Sequence, residues 1–223
     1  MPPDALSQIA AYGAALLERN RRINLTGAGT VDALLPQILD SLTILPFMSE
    51  RHIDVGSGGG LPAIPAALVA HCQITLVESR AKKAAFLREI AQEIGIGADV
   101  VAARAEEAAH FPALRERFSS ATARAVGPAS TVAELTLPFL RIGGRSILQR
   151  GSMSLEERAA LEDALLVLDG RIVEQKELDA DRRLLVVEKA GPTPARFPRR
   201  SGVPSKRPLG ARSFHGKPTG ETE

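Results

Sequence analysis

Two patterns of hydrophobic spacing divide the chain. Up to residue 48 the apolar positions recur every three or four residues: Leu6, Ile9, Ala10, Gly13, Leu16 and Leu17 behind a possible cap at Asp4, then Val31, Leu34, Leu35, Ile38, Leu42 and Leu45 behind Thr30. Each set falls on one face of a helix, so two amphipathic helices are expected before any strand. From residue 51, short β-branched runs alternate with longer helical segments, the pattern of βαβ units. Strands are expected at 52–55, 73–78, 99–103, 121–125, 145–149, 171–176 and 184–188, with helices near 61–71, 80–94, 105–117, 129–140 and 154–168. Only Leu178 to Arg183 separates the last two strands, too short a link for a helical crossover, so they are expected to be antiparallel neighbours. The expected fold class is therefore α/β, with a seven-stranded, mostly parallel sheet behind N-terminal helices. Residues 1–48 read as a helical extension packed on the core, 49–190 as the main domain, and 191–223 as a basic Pro/Gly-rich tail too polar to bury a face of its own.

Composition narrows the class. An apolar fraction of 44% over 223 residues is enough to build a core, which excludes a disordered chain. Net charge is only +2, but it is unevenly spread: residues 191–223 carry seven Lys or Arg against two Asp or Glu, leaving 21 against 24 in the rest. Cys72 is the single cysteine, so no intramolecular disulfide framework or paired thiolate zinc site can form, and a reducing cytoplasm is expected. The N-terminus lacks the basic and apolar regions of a signal peptide. The longest apolar run, Leu61 to Ala70, is too short to span a bilayer and contains Pro62 and Pro65, so no membrane role is expected.

The chemistry concentrates after the first strand, in Asp54-Val55-Gly56-Ser57-Gly58-Gly59-Gly60-Leu61. In a doubly wound sheet this turn is where a nucleotide ligand meets backbone amides and a helix N-terminus. A P-loop would need Gly-Lys-Ser/Thr where the chain has Gly60-Leu61-Pro62, and a dinucleotide fingerprint starting at Gly56 would need glycine at Leu61. What remains is the G-x-G-x-G turn of an S-adenosylmethionine site, where Gly56 and Gly58 leave bare backbone against the ligand. Glu78 closes the second strand, 22 residues after Gly56, where its carboxylate can accept protons from both ribose hydroxyls. A tight structural turn and a surface Glu are the bland alternative.

Ala103-Arg104-Ala105-Glu106-Glu107 follows the third strand beside the same crevice. An acid there either accepts from an adenine amino group or simply favours a helix dipole. Arg124 closes the fourth strand and faces either the crevice or a structural carboxylate. His52, His71, His110 and His215 show no paired spacing and read as solvated or capping residues.

Taken together, these residues resemble the bacterial small-subunit ribosomal RNA guanine-N7 methyltransferases, the family called RsmG or glucose-inhibited division protein B. The likeness covers nearly the whole chain. It includes Asn24-Leu25-Thr26, Ile38-Leu39-Asp40-Ser41, Asp54 to Pro65, Val77-Glu78-Ser79 with Lys82 and Lys83, Arg104 to Glu107, Arg124-Ala125, and Thr193 to Arg200. The resemblance implies a Rossmann-like class I methyltransferase in the cytoplasm, and a monomer is expected. Its cofactor would be S-adenosylmethionine and its substrate N7 of one guanine in 16S rRNA of the small ribosomal subunit. It also implies cofactor contacts at Gly56, Leu61, Ala105, Glu106 and Arg124. Two positions depart from the family: Gln37 stands where a His is usual, and Arg150-Gly151 where Lys-Gly is frequent.

Guanine N7 carries a free lone pair, so methyl transfer to it needs no general base, and no catalytic residue or metal ligand is assigned. A flipped or single-stranded base needs a stacking surface. The chain has no Trp and one Tyr, Tyr12, and Arg124 or Arg150 is the substitute expected to stack. Arg19, Arg21, Arg22 and the tail are expected to contact phosphates. A small-molecule methyltransferase and a non-catalytic nucleotide-binding regulator compete with the RNA reading. The basic tail favours RNA over both.

Overall fold

The computed structural model describes residues 4–210. Helices α1 (Ala5–Asn20) and α2 (Val31–Ser41) precede the first strand, as the apolar spacing predicts. Thr30 caps α2 by accepting from the Ala33 amide, whereas Asp4 makes no side-chain cap on α1. Gln37 joins α2 to the preceding loop: its Oε1 accepts from Thr26 Oγ1 at 2.9 Å.

Seven strands follow: β1 (Arg51–Val55), β2 (Gln73–Val77), β3 (Ala98–Val101), β4 (Phe118–Thr122), β5 (Leu140–Arg150), β6 (Gly170–Glu177) and β7 (Arg183–Lys189). Their order is β3-β2-β1-β4-β5-β7-β6. β1 pairs parallel with β2 and β4, and β2 with β3 and β4 with β5 likewise, while β7 runs antiparallel to both β5 and β6. The strand order reverses at β1, so the connections leaving β1 and β4 lead to helices in different apolar clusters, α3 (Ala63–Ala70) in one and α6 (Ala129–Thr136) in the other, and open between them the crevice such sheets use for ligands.

Two apolar clusters cover the two faces of the sheet. α1, α2, α3 (Ala63–Ala70) and α4 (Ala81–Glu93) contribute Tyr12, Leu16, Leu34, Ile64 and Phe86 to one. α6 (Ala129–Thr136) and α7 (Leu155–Leu168) contribute Val132, Leu135, Leu161 and Leu165 to the other.

Three expectations need correction. The helix predicted over 105–117 is a single turn, α5 (Ala105–Ala108). Pro112 has no amide to donate and Glu116 adopts a left-handed φ of 57°, so the chain loops there instead. The fourth strand lies earlier than its apolar run suggests and stops at Thr122, because Ala125 turns into the left-handed region at φ 56°. Arg124 therefore sits on the loop beyond the strand.

The third correction concerns the basic tail. Residues 191–210 are docked on the body, with Phe197 and Pro204 buried and a short helix, α8, at Val203–Lys206. Arg115 donates to the carbonyls of Thr193, Pro194 and Phe197, Thr131 donates to Pro204, and Arg199 pairs with the buried Glu134. The segment has no core of its own and borrows the body's polar groups. The remainder of the tail, 211–223, lies outside the described residues.

Candidate active site

At the end of β1 the chain turns through Gly56 at φ +72° and Gly60 at φ +98°, a region that side chains rarely adopt. A Cβ on Gly60 would lie 2.4 Å from Ile64 Cδ1, and one on Gly56 would lie 2.9 Å from Val126 Cγ2. Gly58 is different: only Gly56 O, at 3.8 Å, would meet its Cβ, so its backbone faces open space. The turn is braced from below by Tyr12, whose buried hydroxyl donates to Gly59 O at 2.9 Å. Tyr12 is thereby spent on packing and offers no surface for stacking a base.

Glu78 ends β2 beside this turn. Its Oε2 accepts from the Gly58 amide at 2.9 Å and its Oε1 from the Arg80 amide at 2.7 Å, which aims the carboxylate across the crevice mouth. The crevice has a volume of about 380 Å³. Of the residues singled out in the sequence, Gly56, Gly58, Glu78, Ala105, Glu106 and Arg124 line it. Leu61 does not: it is 7% exposed and packs in the cluster beneath the turn.

Glu106 has a second task, accepting from the Gly202 amide at 2.8 Å, while Glu107 accepts from Ser201 at 2.9 Å. Ser205 reaches the crevice wall, so the docked tail forms part of the site, a role its composition does not reveal. Arg124 approaches Asp40 Oδ2 at 3.8 Å and also lines the crevice, so the two alternatives are not exclusive in position. The guanidinium of Arg150 is held by Gly127 O and Glu157, which disfavours it as a stacking plate. A larger groove of about 830 Å³ runs along α7 to Gly210, where the described residues end, but it contains neither the glycine turn nor the β2 acid.

Under the crevice lies a buried polar chain that sequence reasoning missed. Strand alternation sends Ile53, Val55, Ala121 and Ala123 into one cluster and leaves His52, Asp54, Ser120 and Thr122 on the opposite face. Thr122 Oγ1 donates to Asp54 Oδ1 at 2.7 Å, so its oxygen receives the Nε2 proton of His52 at 2.8 Å, and His52 Nδ1 accepts from Ser120 at 2.8 Å. His52 is thus neither solvated nor a cap. The signal available in the sequence was polar residues at alternate positions in two adjacent strands.

Burial pushes the Asp54 carboxyl up to about 7, against the hydrogen bond from Thr122, and burial lowers His52 to about 3. Between pH 3.8 and 6.5 the unfolded chain therefore holds a proton on His52 that the folded chain lacks, and the folded chain holds one on Asp54 that the unfolded chain lacks. The two contributions to the pH dependence of stability cancel. Relative to the parent chain, Asp54→Asn should make stability rise with pH across this window and His52→Gln should make it fall. Each change is at most about 1.4 kcal/mol per pH unit. Urea midpoints at several pH values check this, and slopes of the same sign in both variants would refute it.

The sheet order and crevice define the class I methyltransferase fold. It is shared with a putative O-methyltransferase from Klebsiella pneumoniae, at a TM-score of 0.56 and 16% identity, covering 81% of this chain and 90% of that one. It is also shared with the T. thermophilus 16S rRNA N2 G1207 methyltransferase solved with AdoMet and guanosine, at a TM-score of 0.50 and 18% identity, covering 71% and 40% of the two chains.

Residues 5–186 match the family model for GidB, rRNA small subunit methyltransferase G, and the chain belongs to this family. The Ribosomal RNA small subunit methyltransferase G of Rubrobacter xylanophilus is 40% identical over 221 residues, covering 92% of this chain and 84% of that protein. The protein of the same name from Alkaliphilus metalliredigens is 37% identical over 216 residues, covering 92% and 90%. The chain is accordingly a methyltransferase acting on small-subunit rRNA, which displaces the small-molecule and non-catalytic alternatives. No helix among the described residues is long and apolar enough to cross a membrane.

Proposed function

We propose that the crevice at the carboxyl ends of β1, β2 and β4 binds S-adenosylmethionine, and that the chain methylates N7 of one guanine in 16S rRNA. The observation that carries this reading is the pairing of the open Gly58 backbone with a Glu78 carboxylate already oriented by two amide donors. The residues fit that cofactor. Gly56 and Gly58 leave room along its methionine and ribose portions, Glu78 accepts the ribose hydroxyl protons, and Ala105 with Glu106 borders the adenine end. Leu61 serves by packing under the turn. When bound, the cofactor supplies an electrophilic methyl group on a sulfonium.

The chain's own work is alignment. Guanine N7 needs no proton removed before it attacks, so holding the two reactants in near-attack geometry supplies the rate, worth up to ~7–11 kcal/mol in well-oriented systems. Phosphate contacts fall to exposed cations: Arg21 and Arg22 at the end of α1, and Arg196, Arg200, Lys206 and Arg207 on the docked tail. Arg19 is paired with Glu89. The enzyme works as a monomer in the cytoplasm, where the small ribosomal subunit is found.

An N7-methylated guanine has a labile glycosidic bond, so borohydride reduction followed by aniline cleaves the RNA at that position. RNA from cells lacking this protein should lose one cleavage stop in 16S rRNA and regain it on complementation. A stop that persists in the deletion strain, or a methyl group recovered on another atom, would overturn the assignment.

A further inference from the structure

A second, smaller cavity of about 120 Å³ lies between the end of α2, the end of β5 and the β6–β7 hairpin. It has room for about four waters, the scale of one flat base. Arg124 borders both spaces. At the cavity wall stands Asp40, whose side chain is 17% exposed. Gln149 fixes it in place, donating to Asp40 O at 2.8 Å, Asp40 Oδ2 at 3.2 Å and Thr43 Oγ1 at 3.1 Å.

We infer that this cavity receives the target base and that Asp40 reads it as guanine. The inference rests on the guanine-N7 reading above and names the residues that select the base. Guanine presents N1–H and an exocyclic amine side by side, two parallel donors that match the two oxygens of a carboxylate. Adenine presents an acceptor at N1, which a carboxylate repels. The carboxylate is already held by a planar group with the same donor pattern: Arg182 reaches Asp40 Oδ1 at 3.0 Å. Arg182 is about half exposed and also pairs with Asp179 at 2.6 Å, so it keeps a carboxylate partner when the base displaces it from Asp40.

Two polar atoms behind the wall lack partners: Gln149 Oε1 and Arg183 Nε are buried with no hydrogen-bond partner among the described residues. Stranded polar atoms are costly unless a ligand completes them.

Small subunits reconstituted with 16S rRNA carrying inosine at the mapped position test this directly, because inosine lacks the amine but keeps N7. Methylation by the parent enzyme should fall roughly 10- to 100-fold in kcat/KM, the effect of losing a hydrogen bond to a charged group. D40N should lose a similar factor on guanine, lose little more on inosine, and keep its affinity for S-adenosylmethionine in calorimetry. Equal rates of the parent enzyme on guanine and inosine would overturn the inference, and so would full activity of D40N. The inosine arm uses the parent protein and stands even if the variant fails to fold. RNA carrying 7-deazaguanine separates the two readings: methylation of that RNA would sink the N7 assignment, independently of what reads the donor edge.

Discussion

Substituting Arg199 with alanine is expected to destabilise the protein by about 3 kcal/mol, the lower end of the cost of stranding a buried charge. Arg199 grips Glu134 on α6 with both arms of its guanidinium, Nε to Oε1 at 2.9 Å and Nη2 to Oε2 at 2.7 Å, and its own amide donates to Oε1 as well. Glu134 has no exposed side-chain surface, whereas Arg199 keeps 26% exposure, and that is why the lower end of the range applies. After truncation the carboxylate keeps only one amide donor inside the fold. Urea denaturation should show the lower midpoint, and the double variant Arg199→Met with Glu134→Leu should recover most of the loss, since no charge is then left buried. A single variant as stable as the parent would mean that residues 191–210 dock without contributing to the cooperative unit.

The second large effect is on the cofactor. Glu78→Ala should weaken S-adenosylmethionine binding by about 1.5 to 3 kcal/mol, roughly 10- to 150-fold in Kd. Two losses combine: the acceptor for the ribose hydroxyls disappears, and the Gly58 and Arg80 amides lose the carboxylate that orders the turn around them. Glu78→Gln should fall between the two, because one acceptor oxygen remains. Calorimetry with folded protein settles it, and an unchanged affinity in Glu78→Ala would remove this residue from the site.

The docked tail and the crevice share Glu106 and Ser205. A free basic arm would affect RNA binding alone. A segment that supplies part of the crevice wall ties RNA-facing cations to the cofactor pocket through a few residues of α5 and α8.

What the sequence determined by itself is local. Helical spacing set the two leading helices, β-branched runs marked where strands alternate with helices, and the short link at 178–183 set the antiparallel final pair, because each of these signals is encoded within a few residues. The glycine turn was legible for the same reason: positive φ at Gly56 and Gly60 and a carboxylate at the end of β2 are short-range requirements. Tertiary structure decided the rest. Composition showed too few apolar residues after 190 to form a core, and it could not show that Arg115, Glu116 and Glu134 of the body would satisfy that backbone. The same holds for Tyr12 beneath the turn, His52 and Asp54 across Thr122, and Asp40 beside Gln149, 109 residues away in the chain. Each of these polar groups takes its role from a partner brought near only by the packing of the sheet. A buried hydrogen bond depends on which strands and helices become neighbours, and no local pattern of residues specifies that.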